Sequence, residues 1–535
     1  MDVLLGLDLG TTNIKGVAYS TAGMPLVVAS RSTPTIGQGL RRACHDPQTL
    51  WGQMAAVIRE VVSGLPAQTR PMGLAIASIG EAGVPLDAHG DVLYPLIAWY
   101  DERTAPQAAW WAQHMGEVEI YRHTGLPLGH TFTLNKLLWL REEEPEVYAR
   151  LSRWLCVSDY MAYRLTGEQR MGYSLASRTM AFDLRERRWS EEMLSCAGIA
   201  PAIWPPVCPE GTLVGYVTPD AAHQTGLAQG TPVYVGGHDH VCGALAMGVF
   251  VPGIVLDSTG TTEAELTTLE SIYEYLDAGD LSFCLGCHVA RGRYYTIGSI
   301  LGAGSMVSWL AELLWNPEHL AGGDEALQAL TLAASMSPPG ARGLYLLPHL
   351  AGAGSPDRDS TARGVFVGLS LAHTRADMAR AAMEGLSYEL RLLWAALEQF
   401  THQPIRRVIS VGGGARNALW SQIKADITGR ALAVPEHTEA ATLGAALLAG
   451  LGAGVYRDEE HALRCLMIPT NQVQPQAESV RCYDRFFQQL MGEIRPLAVE
   501  LGRKSYARHS SAAAIGLHEA IGGVQVNVML TKKAP

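Results

Sequence analysis

The stretch LLGLDLGTTNIKGV, residues 4–17, decides the fold, because GIVLDSTGTTEAEL at 253–266 repeats its plan. Each is an apolar run with an acidic residue near its end, then Gly-Thr-Thr, then a second strand-like segment. Closure by glycine followed by IKGVAYSTAG (14–23) predicts a hairpin rather than a strand–helix unit. Gly10 and Gly260 hold matching places near the starts of two roughly equal halves, and VISVGGGARN (408–417) ends a further strand in the second half. Strand–helix alternation that restarts midway is the pattern of a duplicated α/β architecture, with ligands taken in a cleft between the halves. The boundary is expected near residue 250, within AMGVFVPGIV, giving domains 1–250 and 251–497. Residues 498–535, rich in small side chains and without turn logic, are expected to form a peripheral tail.

Other segments fit the same alternation. Asp46 is placed to cap a helix that Pro47 opens, since proline at the first helical position gives up only an N–H that would be unpaired anyway. PMGLAIASIG (71–80) reads as a buried strand, LNKLLWLREEEPEVYARL (134–151) as mostly helical, and TPVYVGG (231–237) as a strand. AATLGAALLAGLGAGVY (440–456) is uncharged but glycine-rich and shorter than the ~20 residues a membrane span needs. It is predicted to be a buried, closely packed helix and turn.

The composition narrows the classes of function. With 535 residues, 48% hydrophobic and 17% charged, the chain is an ordinary globular protein too long for one core. A net charge of −11 and a pI of about 5.9 argue against nucleic acid or an anionic membrane as partner. The first residues carry no basic leader, and the nine cysteines show no paired framework, so a reducing, cytoplasmic setting is expected. Cys284-Leu-Gly-Cys287-His288 spells a haem-attachment pattern, but its flanks read as a buried strand and turn, and no second metal-binding pair follows.

Asp8-Leu-Gly10-Thr11-Thr12 and Ser258-Thr259-Gly260-Thr261-Thr262 each offer backbone N–H groups and hydroxyls to an anion, with Lys15 adding charge beside the first. Taken together they suit a polyphosphate better than a pair of plain turns. Gly412-Gly413-Gly414, followed by Arg416 and Asn417, suits the approach of backbone to a flat ring. No P-loop or dinucleotide fingerprint is present. In VGGHDHVCGALAMG (235–248), Asp239 stands just past a strand, at the start of a helix-like run, between His238 and His240. A metal held by both histidines lacks a partner motif. The residue is therefore either a helix cap or a base at a site.

These segments resemble the FGGY carbohydrate kinases, of the superfamily that joins sugar kinases, heat-shock ATPases and actin. The likeness runs from residue 3 to about 490. DLGTT is similar to the family's first phosphate loop and STGTTE to its second. TFTLNKLLWLRE (131–142) fits its first signature, although Thr131 departs from it, and GVFVGLSLAHTRADMARAAME (364–384) fits its second. The resemblance implies an α/β fold of two duplicated actin-like ATPase domains and an ATP-dependent kinase that phosphorylates a sugar or polyol hydroxyl. It further implies Asp239 as catalytic base, and Asp8, with Asp239, as the carboxylates that reach Mg²⁺, partly through water. Gly10, Thr11, Thr12, Lys15, Gly260, Thr261 and Thr262 are the implied phosphate contacts, and Gly413, Gly414 and Asn417 the adenosine contacts.

For the acceptor, Glu81 follows the buried strand, and Trp99, Asp101 and Arg103 stand where the family keeps its sugar-binding cluster. His238 is a further candidate for the sugar. Gly80-Glu81 replaces the Met-His pair of xylulose kinases and the Arg-Glu pair of glycerol kinases, and the surrounding segments look most like the fuculose-kinase-like or xylulose-kinase-like subgroup. The expected acceptor is a ketose (a pentulose or 6-deoxyhexulose) or a related polyol. The alternatives are a glycerol, tetritol or aldonate kinase of the same family, an actin-like ATPase, and an inactive sugar-binding regulator. Expected partners are ATP and a small sugar, without nucleic acid or membrane, and a homodimer is compatible with this reading.

Overall fold

The computed structural model describes residues 1–37, 42–315, 323–436 and 439–516. By compactness the chain falls into two units. One comprises Met1–Ser299, Leu392–Ala425 and Arg430–Gln474, and the other Ile300–Arg391, Asp426–Gly429 and the chain from Pro475 onward.

The first unit contains two sheets of the same plan. In the six-stranded sheet the order is Leu213–Tyr216, Pro232–His238, Arg70–Ser78, Asp2–Leu9, Asn13–Ser20, Pro25–Ser32. Asp2–Leu9 and Asn13–Ser20 form the predicted hairpin, with Asp8 opposite Lys15. Arg70–Ser78 and Pro232–His238 add in parallel, and Leu213–Tyr216 closes the edge antiparallel. In the seven-stranded sheet Ile254–Thr259 and Glu263–Leu269 form the corresponding hairpin. Arg407–Val411 and Leu432–Pro435 add in parallel, and Thr470–Val473 closes antiparallel. The duplication legible in the two Gly-Thr-Thr stretches is therefore a duplication of sheet topology. The strands carry near-continuous apolar runs because both faces are covered.

Local signals act as expected. Asp46 accepts a hydrogen bond from Thr49 N and caps the helix Pro47–Ser63, whose Leu50, Met54, Val57, Ile58 and Val61 are buried on one side. Cys284–Cys287 is a buried strand, both cysteines are free, and His288 is buried with its Nδ1 accepting from Ala290 N. These residues have structural roles. No helix among the described residues is long and apolar enough to cross a membrane.

The uncharged segment at 440–456 forms the helix Ala440–Gly452, whose Thr442 to Gly450 are all buried. It lies directly on backbone. A Cβ at Gly6 would overlap Thr442 O, and a Cβ at Gly444 would overlap Cys242 O. Side chains from both sheets, among them Leu4, Ala75, Leu256 and Ile409, share one apolar core with this helix.

The second unit is organised on buried ion pairs. Glu389 accepts from Arg495 Nε at 2.8 Å and Nη2 at 2.9 Å, and His349 Nε2 lies 3.2 Å from it. Arg380 reaches Glu384 at 2.7 Å, and Tyr483 donates to the same carboxylate at 2.7 Å. Residues 498–516, expected in a peripheral tail, instead continue a helix that runs Arg495–Gly516. Ala498 is buried, Arg503 pairs with Asp359, and Gly502 sits against Arg363 backbone, so small residues here serve close packing. Residues 517–535 of the expected tail lie outside the described residues.

Candidate active site

In each Gly-Thr-Thr turn the glycine N–H closes the turn, over three residues in the first and two in the second. Gly10 N donates to Asn13 O at 3.0 Å, and Gly260 N donates to Thr262 O at 3.0 Å. A Cβ at Gly10 would meet nothing closer than 3.3 Å, one at Gly260 nothing closer than 3.7 Å, and one at Gly413 nothing within 4 Å. Space beside Gly413 is open and that beside Gly260 is uncrowded, so a ligand can approach the backbone there, whereas Gly10 is closely flanked by Asn13 O. Gly412 and Gly414 differ, because added Cβ atoms would strike Thr259.

Asp8 lies in the first strand, one residue before its end, and Asp239 opens the helix Asp239–Ala246 directly after the strand that ends at His238. Asp8 Oδ1 is enclosed without a hydrogen-bond partner. Burial, and after it the charge of Asp239, pushes the Asp8 carboxyl well above the usual range. Burial would raise Asp239 too, but His240 and His238 outweigh it and hold that carboxyl well below the usual range. Asp239 Oδ1 accepts from His240 N at 2.6 Å and lies 2.8 Å from His240 Nδ1. The N-terminal end of the helix further favours the ionised form. Ligand atoms of His238, Asp239 and His240 lie within 4.8 Å of one another, yet His240 Nδ1 and Asp239 Oδ1 are engaged with each other.

Lys15 is joined to Glu439 at 2.7 Å, the residue just before the helix Ala440–Gly452. Trp99 is half-buried, and its Nε1 donates to Thr11 Oγ1 at 3.0 Å, which ties the candidate sugar residue to the first Gly-Thr-Thr turn. Glu81 has φ +61, a left-handed conformation uncommon outside glycine. Its carbonyl accepts from Lys136 Nζ at 2.7 Å and Thr133 Oγ1 at 3.0 Å, and its carboxylate from Arg178 Nε at 2.7 Å. Those bonds hold a backbone that would otherwise relax. Lys136 also donates to Thr131 O at 2.8 Å, and burial pulls its ammonium down to about 8.

Asp101 is fully buried. Its carboxylate accepts from Ala43 N at 2.7 Å and from Arg103 Nε and Nη2 at 2.9 and 2.8 Å, while Arg103 also stacks over Trp139. Both were expected from the sequence to bind the sugar; here they are engaged with each other, and through Ala43 N they pin the Ala43–His45 strand. His238 is buried, with its backbone N donating to Ser174 Oγ at 3.1 Å and its Nδ1 unpartnered. Asn417 Oδ1 accepts from Trp420 N at 3.1 Å and so helps start the helix Ala418–Thr428. Arg178, Glu439, Asp257 and Lys424 were not singled out from sequence. Their partners lie between 97 and 424 residues away, and no local spacing announces such pairs.

Two sheets of repeated topology, each with a hairpin that turns through Gly-Thr-Thr, are the duplicated α/β plan of the actin-like ATPase class. The chain belongs to the FGGY family of carbohydrate kinases. Its residues 3–246 match the family's N-terminal domain and residues 278–453 its C-terminal domain. It is 30% identical to a xylulose kinase of Bacillus subtilis over 492 residues, covering 91% of this chain and 95% of that protein. A gluconokinase of the same organism is 28% identical over 484 residues, covering 90% and 93%. The solved xylulose kinase from Rhodospirillum rubrum superposes with a TM-score of 0.82 at 30% identity, covering 93% of this chain and 99% of that one.

Proposed function

We propose that the chain transfers the γ-phosphoryl group of ATP to a hydroxyl of an uncharged ketose, a pentulose or 6-deoxyhexulose, with Asp239 as general base. The observation that carries this is Asp239 at a helix start, its Oδ1 held by His240, together with Asp8, whose Oδ1 is enclosed and partnerless in the strand that enters the first Gly-Thr-Thr turn. Asp239 accepts the proton of the attacking hydroxyl. Its basicity is low, and that suffices because proton loss comes late in a loose phosphoryl transfer. The Gly10–Thr12 and Gly260–Thr262 turns bind phosphate through N–H and hydroxyl donors, while Lys15, expected as a further phosphate contact, is paired with Glu439. Gly413, Gly414 and Asn417 border the adenosine.

A partnerless carboxylate oxygen with a second carboxylate in range is a hard-oxygen donor set that fits Mg²⁺, and Asp8 and Asp239 would hold it. When bound, the ion neutralises phosphoryl charge.

The acceptor class follows from charge. Xylulose and gluconate kinases both occur among the relatives, and a sugar acid calls for an uncommitted cation at its carboxylate. Among the described residues around Glu81 and Trp99, Arg178 is committed to Glu81, Arg103 to Asp101, and Lys136 to two carbonyls. Arg178 Nη1 is buried without a partner, a donor suited to a sugar oxygen. Trp99 offers its face to sugar C–H groups, Glu81 and His238 flank the acceptor, and Asp101 and Arg103 shape the site from behind. A coupled ADP-release assay over ketopentoses, 6-deoxyketohexoses, tetruloses, polyols and aldonates tests this. A ketose should give the highest kcat/KM, and an aldonate that outperforms every ketose would overturn the acceptor assignment.

A further inference from the structure

Beneath the second Gly-Thr-Thr turn lies a closed charge cluster in the first unit. Asp257, Glu263, Glu265 and Lys424 are all buried, and the ligand atoms of the three carboxylates lie within 4.8 Å of one another. That grouping resembles a cation site, and the cation is already part of the chain. Lys424 Nζ lies 3.0 Å from Asp257 Oδ2 and 3.2 Å from Oδ1, contacts Glu263, and donates to Thr259 Oγ1 at 2.6 Å. Asp257 also accepts from Thr259 Oγ1 at 2.9 Å and from Ser410 Oγ at 2.6 Å. One ammonium cannot neutralise three carboxylates. Burial and the neighbouring acids push Glu265 well above the usual range, and Trp394 Nε1 donates to it at 2.6 Å.

Lys424 and its partner Asp257 together reach different parts of the proposed nucleotide site, Lys424 through Thr259 and Asp257 through Ser410. Thr259 ends the strand that enters the Gly260–Thr262 turn, and Ser410 lies in the strand that leads to the Gly412–Gly414 loop. Lys424 itself stands on the helix Ala418–Thr428 that leaves that loop. Thr259 is also the residue against which Gly412 and Gly414 pack too closely for any side chain. Gly412 has φ +89, so the loop could not substitute another residue there without strain. Thr259 is thus held on one side by a buried ammonium and on the other by the glycine loop.

We propose that Lys424 is a positioning residue that sets the phosphate turn at Gly260–Thr262 against the adenosine loop at Gly412–Asn417, so that one nucleotide meets both. This rests on the reading of those two loops as the ATP site. Lys424 does not touch the nucleotide, and it acts through Thr259 and Asp257. The geometry favours ATP binding and leaves sugar binding to the Glu81 side of the chain.

The test compares Lys424→Met and Thr259→Val with the full-length wild type. Thr259→Val keeps the shape of the side chain and removes the hydroxyl, so it keeps the question answerable should Lys424→Met fail to fold. Both variants should raise the Kd for ATP, read with a fluorescent nucleotide, and the KM for ATP by about tenfold, with the sugar KM within about twofold. Trp394→Phe, which loosens Glu265 without reaching Thr259, should lower the unfolding midpoint and leave the KM for ATP in place. An unchanged ATP Kd in Thr259→Val, or sugar and ATP KM rising in equal proportion, would overturn the positioning role. A wild-type chain that binds no ATP would overturn the nucleotide site itself.

Discussion

The indole N–H of Trp99 donates to the hydroxyl of Thr11 at 3.0 Å, joining the residue proposed for the acceptor to the first Gly-Thr-Thr turn. Under the proposed function the two substrates share this support. Trp99→Phe keeps the aromatic face and removes this bond, which is worth about 1 kcal/mol, or about fivefold. The expected outcome is a fall in kcat/KM of that size for both ATP and sugar in steady-state assays. A change confined to the sugar would show that the bond has no part in placing the turn.

Asp239 stands at the start of a helix with His240 on its carboxylate. Asp239→Asn keeps the size and removes the base. Turnover should drop by about 10²–10⁴-fold or more, with nucleotide binding retained. Near-normal turnover would sink the assignment of Asp239 as base.

Glu389 supplies a pH dependence of stability. Burial would raise its carboxyl, but Arg495 and His349 hold it at about 2, below its ordinary value. A depressed folded-state value means the contribution is present above the unfolded value, near 4.5, and is lost as pH falls from there toward 2. The shift corresponds to about 3 kcal/mol. Denaturant unfolding between pH 2 and 7 should show a slope that Glu389→Gln flattens, with lower stability at neutral pH because Arg495 loses its partner.

Close packing can be probed at Gly444, where a side chain would overlap Cys242 O. Gly444→Ala should destabilise by about 1–3 kcal/mol or more through displacement of the helix, despite the better helix propensity of alanine. A lowered unfolding midpoint checks this.

Much of the fold was legible because its signals are local. The Gly-Thr-Thr turns, the Asp46 cap and the glycine-rich helix each occupy a few consecutive residues and proved to be the elements they suggested. The carboxylates Asp8 and Asp239 were legible by the same route, as residues beside a turn and a helix start. What holds those groups in place was not. Lys15 finds Glu439 across 424 residues, and Lys424 finds Asp257 across 167. Such pairs exist only once the sheets have assembled. Asp101 and Arg103 were legible as a polar pair two residues apart, but not their burial or the bond to Ala43 N, which depend on the strands around them. The continuation of the helix Arg495–Gly516 past residue 498 was not legible, because small residues such as Ala498 and Gly502 suit close packing as readily as irregular chain.

The direct seating of Ala440–Gly452 on the first strand has a consequence for how the molecule is made. The hairpin at the N-terminus leaves the ribosome early, yet the helix that covers Leu4 and overlies Gly6 is synthesised more than 400 residues later. Until then one face of the earliest sheet lacks its cover, and closing so long a loop delays the contact that would seal it. The core that this sheet shares with the helix can therefore close only after the far part of the unit has been made.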